Sequence, residues 1–252
     1  MKFIKDYKDI GKVEPNSLIL GDCLEVMRLI PDNSVHAVIC DLPYGTTYCK
    51  WDSVIPLDKL WEQYKRIIIG NGAFVFTASQ PFTTILIQSN MDWFKYEWIW
   101  NKENPTNFAN AKHQPLKQHE NIVVFSKGKS PYYPIKIPGK PNHKQGASKK
   151  NVSETRLISE RVEDDLSGMK YPKSILYCPK HSSQCKYHPT EKPVALMEYL
   201  IYTYTKDFEV VLDNTAGSGS TLVACADTGR QFIGIEKEEK YFNIACERLN
   251  GI

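Results

Sequence analysis

The sequence has no uncharged apolar run approaching the roughly 18 residues that a membrane-spanning helix needs. Its first residues, Met1-Lys2-Phe3-Ile4-Lys5-Asp6, lack the apolar stretch of a secretory leader. Neither a membrane span nor export is expected, and the chain reads as cytoplasmic. Cysteine is sparse: seven residues, an odd number, scattered through the chain. A disulfide framework is therefore not expected, and reduced thiols are the default. No internal repeat is visible.

What is present is ordinary globular material. Hydrophobic residues are 42% and charged residues 24% of 252 positions, enough to bury a full core in one domain with a small second lobe. The net charge is only +3, but it is unevenly spread. Residues 127–187 hold 13 Lys and Arg against 5 Asp and Glu, a balance of +8. The rest holds 19 against 24, a balance of −5. Gly128 to Lys150 carries six lysines and no acid. Such a segment attracts a phosphate backbone through counterion release, although a solvated loop has the same composition. Lys140, Lys144, Lys149 and Lys150 are the candidate phosphate contacts. The same 127–187 segment contains six prolines and little periodicity, so it reads as an insertion. It separates 1–126 from 188–252, which read as two halves of one domain.

Those halves alternate short apolar strands with helices. Strands are expected at Leu18–Leu20, Val35–Cys40, Ala73–Phe76, Phe94–Trp100, Asn121–Phe125, Val210–Leu212 and Phe232–Ile235. Helical spacing marks Leu57–Ile69, Pro81–Gln88, Pro193–Thr205, Ser220–Asp227 and Glu238–Leu249. Asn101–Gln118 shows no period and reads as a mobile loop. Its Asn104–His113 stretch is a candidate to order over a polyanion. The aromatic group Trp93, Phe94, Tyr96, Trp98 and Trp100 reads as core, while Tyr132-Tyr133 fits either phosphate contact or local packing. The pattern implies an α/β fold: a doubly wound, mostly parallel sheet covered on both faces.

Ligands of such sheets sit at the carboxyl ends of the strands. Asp22, Asp41, Asp213 and Glu236 all fall there. Asp213-Asn214-Thr215-Ala216-Gly217-Ser218-Gly219-Ser220-Thr221 follows a strand and opens a helix, and its glycines permit a sharp turn with close ligand approach. Glu236 ends the next strand, where a carboxylate can accept both hydroxyls of a ribose. Gly-x-Gly-x-x-Gly is absent and no Gly-Lys-Ser/Thr follows this turn, which excludes a P-loop here. Asp41-Leu42-Pro43-Tyr44 ends a buried strand at the same edge.

With these residues the chain resembles the S-adenosylmethionine-dependent amino-methyltransferases of DNA, whose tetrapeptide is [Asp/Asn/Ser]-Pro-Pro-Tyr. Asp213 to Thr221 is similar to that family's cofactor loop. Glu236 matches its ribose acid, Asp22 its adenine contact, and His188-Pro189-Thr190-Glu191-Lys192-Pro193 the stretch that closes over the cofactor's methionine end. The tetrapeptide precedes the cofactor loop, as in the permuted β group, and the basic insertion lies where that group carries target recognition. The resemblance covers Leu18 to Leu249 and implies a seven-stranded methyltransferase sheet. It implies a cofactor site of Asp22, Lys192, Asp213, Ala216, Gly217, Ser218, Gly219, Thr221 and Glu236, and catalysis by Asp41, Leu42, Pro43 and Tyr44. In that scheme Asp41 and the Leu42 carbonyl accept the target amine's hydrogens, Pro43 stiffens the loop, and Tyr44 stacks on a base taken out of the duplex. Leu42 stands where the family has proline, and Asn214-Thr215 where it has Pro-Phe.

The resemblance implies S-adenosylmethionine as cofactor and double-stranded DNA as substrate. Asp at the first tetrapeptide position favours adenine N6, with cytosine N4 as the alternative, then RNA methylation or a non-catalytic DNA-binding relic. A homodimer and a separate cognate endonuclease are partners that such enzymes can have, and no dimer motif is visible. Glu120-Asn121 resembles a motif of cytosine-C5 enzymes, but the Pro-Cys pair they need is absent. Cys178, His181, Cys185 and His188 have atypical zinc spacing, and no metal is expected.

Overall fold

The computed structural model describes residues 1–8, 10–46, 52–140, 168–179, 187 and 191–252. In chain order the elements of the main unit begin with β1 (Lys2–Ile4), β2 (Ser17–Leu20), α1 (Cys23–Val26), β3 (Val35–Asp41), α2 (Leu57–Ile67) and β4 (Ile68–Ala78). α3 (Phe82–Ser89), β5 (Phe94–Thr106) and β6 (Lys117–Phe125) follow. After β7 (Ile137–Pro138) and β8 (Met169–Lys170) come β9 (Ile175–Tyr177), α4 (Val194–Tyr204), β10 (Val210–Asp213), α5 (Ser220–Asp227), β11 (Gln231–Glu236) and α6 (Glu239–Asn250).

Among the described residues nine strands form one sheet in the order β1-β2-β11-β10-β3-β4-β6-β5-β9. All its pairings are parallel except those of β6, which is antiparallel to β4 and to β5. The period-2 alternation of each strand feeds two cores. In β3, Val38 and Cys40 face one core and Ala37 and Ile39 the other; in β4, Phe74 and Phe76 oppose Ala73 and Val75. Helices α1, α2 and α3 cover the first face and α4, α5 and α6 the second. α2 shows why: Leu60, Trp61, Tyr64 and Ile67 form its buried stripe. It stops at Ile68, whose extended backbone begins β4.

Three expectations need correction. Asn101–Gln118 is not all loop: β5 runs on to Thr106 and β6 starts at Lys117, leaving 107–116 as the connection. This part of the ribbon is polar on both faces and has a register shift between Asn101 and Thr106, so it carries no alternation to read. The sheet has nine strands rather than seven, because β1 and β9 add three-residue edges too short to show periodicity. Residues Ile175–Tyr177, placed by composition in the insertion, pair with β5.

The chain divides into two compact units, Met1–Tyr133 with Ser174–Ile252, and Pro134–Lys173. In the second unit β7 pairs antiparallel with β8, and the Lys136 ammonium lies 4.7 Å from the Tyr171 ring centre. Tyr132 belongs to the first unit and packs against Tyr96, Trp98 and Tyr204. Trp98 and Trp100 are buried, as expected of core. Among the described residues no helix is long and apolar enough to cross a membrane.

Candidate active site

Strands β2, β11, β10 and β3 are neighbours and parallel, so their carboxyl ends share one edge of the sheet. Asp22, Glu236, Asp213 and Asp41 stand there and line a cavity of about 1130 Å³.

Asp41 is the last residue of β3. Its Oδ1 accepts the Tyr44 hydroxyl at 2.6 Å and the Thr77 hydroxyl from β4. Its Oδ2 accepts Lys192 Nζ at 2.6 Å. The next residue, Leu42, is buried in the first core and anchors the turn through its side chain. Tyr44 stacks on Phe82, ring centres 5.4 Å apart at 24°. Burial, then the charges of Asp41 and Glu120, push its phenol well above the usual range, so Tyr44 is a neutral donor. Asp52 holds the following turn, its carboxylate accepting the Gly45 amide at 2.9 Å and the Thr46 amide at 3.0 Å.

Lys192 precedes α4 and is buried. It also pairs with Glu120 Oε2 at 3.4 Å, and Glu120 Oε1 pairs with buried Lys102 at 3.2 Å. Burial pulls the Lys192 ammonium down, but the facing Asp41 and Glu120 carboxylates outweigh it and hold it above the ordinary lysine range. Asp41, Lys192, Glu120 and Lys102 thus form a row of alternating charge. Glu120, set aside in the sequence as a motif coincidence, is a site residue. Lys102 and Thr77 gave no sequence signal, being single polar positions in strands.

The loop 213–221 closes the other side. Asp213 is 3% exposed. Burial raises its carboxyl to about 7, against hydrogen bonds from Thr221 and the Thr215 amide that favour the anion. Glu236 accepts the Gly217 amide and the Glu238 amide, each at 2.7 Å, and burial raises its pKa despite them. Thr215 donates to the Asp41 main-chain oxygen at 3.1 Å and so ties the loop to the tetrapeptide. Asn214 accepts from Tyr64 at 2.6 Å and from the Cys40 thiol at 3.3 Å, below the cavity floor. Gly219 has φ +82°, and a Cβ there would stand 2.9 Å from Ala245 Cβ. Glycine at 219 therefore lets α5 start close against α6.

Two further clasps were missed by sequence reasoning. Glu191 pairs with Arg248 at 2.9 Å, and Arg248 donates to the Ser218 carbonyl at 2.8 Å. Asp22 caps α1 by accepting the Leu24 amide at 3.0 Å and meets Lys237 at 3.2 Å.

All four residues of the tetrapeptide line the cavity, as do Asp22, Lys192, Asp213 and Glu236. Ala216, Gly217, Ser218 and Thr221 line it too, while Gly219 turns the chain behind it. Lys140 lies in the second unit. Lys144, Lys149 and Lys150 fall outside the described residues, as do His181, Cys185 and His188. The Cys178 main-chain oxygen accepts the Trp100 indole at 2.8 Å.

Comparison with known proteins gives the family and the fold. The chain is 28% identical over 271 residues to the type II methyltransferase M.HinfI of Haemophilus influenzae, covering 94% of this chain and 69% of that protein. The crystal structure of the M1.HpyAVI–SAM complex matches with a TM-score of 0.62 at 24% identity, covering 92% of this chain and 98% of the other. The PvuII DNA methyltransferase, cytosine-N4-specific, matches with a TM-score of 0.65 at 17% identity, covering 94% and 87%. These likenesses at low identity establish the Rossmann-like fold. The family model described as DNA methylase, for N6 and N4 methyltransferases, matches residues 35–247, from the first residue of β3 into α6, and the chain belongs to that family.

Proposed function

We propose that this chain transfers a methyl group from S-adenosylmethionine to the N6 amine of adenine in double-stranded DNA, with the target base turned out of the duplex. The acceptor geometry at Asp41 carries the reading. A carboxylate offers about four lone-pair positions. Among the described residues Tyr44 and Thr77 fill the two of Oδ1, and Lys192 fills one at Oδ2. Asp41 lines the cavity, and the reading gives the remaining position at Oδ2 to one N–H of the target amine.

The cavity residues suit S-adenosylmethionine. Glu236 accepts the Gly217 and Glu238 amides on its two oxygens and a contribution from the Lys237 amide, and of about four lone-pair positions one is left for a ribose hydroxyl. Asp22 Oδ1 takes one amide and can accept an adenine amine. When bound, the cofactor supplies an electrophilic sulfonium methyl.

An exocyclic amine is a poor nucleophile because its lone pair is delocalised into the ring. Asp41 Oδ2 accepts one hydrogen and the Leu42 carbonyl the other. This favours a pyramidal nitrogen whose lone pair projects from the ring plane, a matter of orientation and electrostatic preorganisation. Lys192, Thr77 and Tyr44 hold the carboxylate in that pose. In the transfer the amine lone pair would form the N–C bond as the S–CH3 bond breaks and leaves its electron pair on sulfur, a neutral thioether, and the surplus proton of the methylated nitrogen would leave through Asp41 Oδ2 to solvent. Phe82 backs Tyr44, which presents its ring to the extrahelical base.

A second reading, N4 of cytosine, draws on the fold likeness to the PvuII enzyme, and the same two acceptors serve either amine. Aspartate at position 41 favours adenine through the family resemblance. The test is transfer from methyl-labelled S-adenosylmethionine to unmethylated plasmid DNA, followed by nucleoside mass spectrometry. N6-methyladenine is expected. N4-methylcytosine would establish the second reading, and label confined to added RNA would remove DNA as substrate.

A further inference from the structure

The connection 107–116 leaves the rim of the cavity and returns to it: Thr106 and Lys117, its two feet, both line the cavity. The loop is built rather than slack. Thr106 Oγ1 donates to the Lys117 carbonyl at 3.1 Å and closes its base. Lys102, the end of the charge row that begins at Asp41, donates to the same hydroxyl at 3.3 Å. At the tip Asn107 takes a left-handed conformation, φ 72°, and its side-chain oxygen accepts the Asn110 amide group at 2.7 Å. Backbone bonds from Asn110 to Asn107 and from Ala111 to Phe108, each 3.1 Å, complete the turn.

This ordered turn displays Phe108 at 66% exposure. A solvated phenylalanine on a well-bonded loop gains nothing for the fold, since its apolar area stays in water. The connection and its feet carry charge of one sign. From Asn104 to His119 there is no carboxylate, while Lys112, His113 and Lys117 are present. The complementary occupant is a polyanion with apolar faces to stack on, which is nucleic acid.

We infer that Phe108 is a wedge: its ring enters the DNA stack at the position the target base vacates. The inference rests on the proposed reaction, in which the base leaves the duplex. Extrusion costs stacking and pairing energy, and apolar side chains inserted between base steps offset such losses in other DNA-binding proteins. The loop's feet lie at the cavity that receives the base, so one element serves both events. Phe108 acts on the DNA and touches neither reacting atom, so it is a positioning residue.

A wedge has a signature that a merely structural role does not. Its benefit vanishes when the target base is already unpaired. The modified site is first located by sequencing plasmid DNA that the wild-type chain has methylated. Short duplexes carrying that site are then compared, one fully paired and one mispaired at the target base. Phe108→Ala is expected to lower kcat/KM about tenfold or more on the paired duplex and by less than about threefold on the mispaired one. Phe108→Trp, which keeps a stacking plane, is expected to retain most activity on both. An alanine variant as active as wild type on paired DNA overturns the wedge. So does an equal loss on both duplexes. If the wild-type chain transfers no methyl group to any DNA, the proposed reaction falls and takes the wedge with it. Intact wild-type transfer with an unaffected variant removes the wedge alone.

Discussion

Lys192 Nζ lies 2.6 Å from Asp41 Oδ2, although 151 positions separate the two residues. This ion pair joins the segment before α4 to the end of β3 and places a buried cation against the carboxylate proposed to receive the target amine. Thr215 joins the loop 213–221, the proposed cofactor loop, to the same strand end from the other side. The two proposed binding events are therefore mechanically linked through Asp41.

Removing the cation leaves Asp41 without an ion-pair partner and Glu120 with Lys102 alone, one negative charge in excess. Lys192→Met is expected to destabilise the fold by about 3–5 kcal/mol. Adding Glu120→Gln, which leaves Asp41 and Lys102 with no net charge between them, is expected to restore part of that stability. Urea unfolding of the three proteins checks this. Equal midpoints for wild type and Lys192→Met would mean that the pair contributes nothing.

Asp213 gives a pH dependence whose sign is fixed by its raised pKa. The carboxyl holds its proton up to about 7 in the fold, against an ordinary value of 3.8. Between these values the native state binds more protons than the unfolded chain, so its contribution to stability falls as pH rises, and levels off above about 7. Three units correspond to no more than about 4 kcal/mol. Asp213→Asn removes the titration. The stability of wild type minus that of the variant should decline from pH 4 to pH 7 and then stay flat. A difference that is constant over this range would show that Asp213 ionises normally.

Glu236→Gln keeps one acceptor oxygen, and Glu236→Ala keeps none. Titration calorimetry with S-adenosylmethionine is expected to show weaker binding for Gln, and for Ala a weakening of about tenfold or more, the scale of a hydrogen bond to a charged group. An unchanged dissociation constant for Ala would remove Glu236 from the cofactor site.

Replacing Lys140, Lys144, Lys149 and Lys150 by glutamine is expected to flatten the salt dependence of DNA binding. The log–log slope should fall by up to about 0.9 for each phosphate that is no longer neutralised. Filter binding over a range of salt concentrations measures the slope. An unchanged slope assigns phosphate neutralisation to other cations.

The sheet was legible because its central strands carry apolar runs. The helix Ser220–Asp227 has in the structure the bounds that periodicity assigns. Asp22, Asp41, Asp213 and Glu236 were legible because parallel strands deliver their ends to one edge. The polar part of β5 and the three-residue edges were not, since they carry neither alternation nor length. Nor were Lys102, Glu120 and Arg248. Their roles depend on pairing between elements distant in sequence, and a single charged residue in a strand or helix looks like a solvated one until its partner is placed. Asn214 and Thr215, read as departures from a family pattern, have uses of their own: one bonds Tyr64 and Cys40, the other the Asp41 carbonyl.

The central claim is that Asp41 receives the target amine and does not hold the cofactor. It is tested by measuring, on one preparation of Asp41→Ala, both methyl transfer to DNA and S-adenosylmethionine binding. The account predicts that transfer falls by about a thousandfold or more, with the dissociation constant within about threefold of wild type, a difference of well under 1 kcal/mol. Transfer that persists in the variant, or that disappears together with cofactor binding in a folded protein, would contradict it.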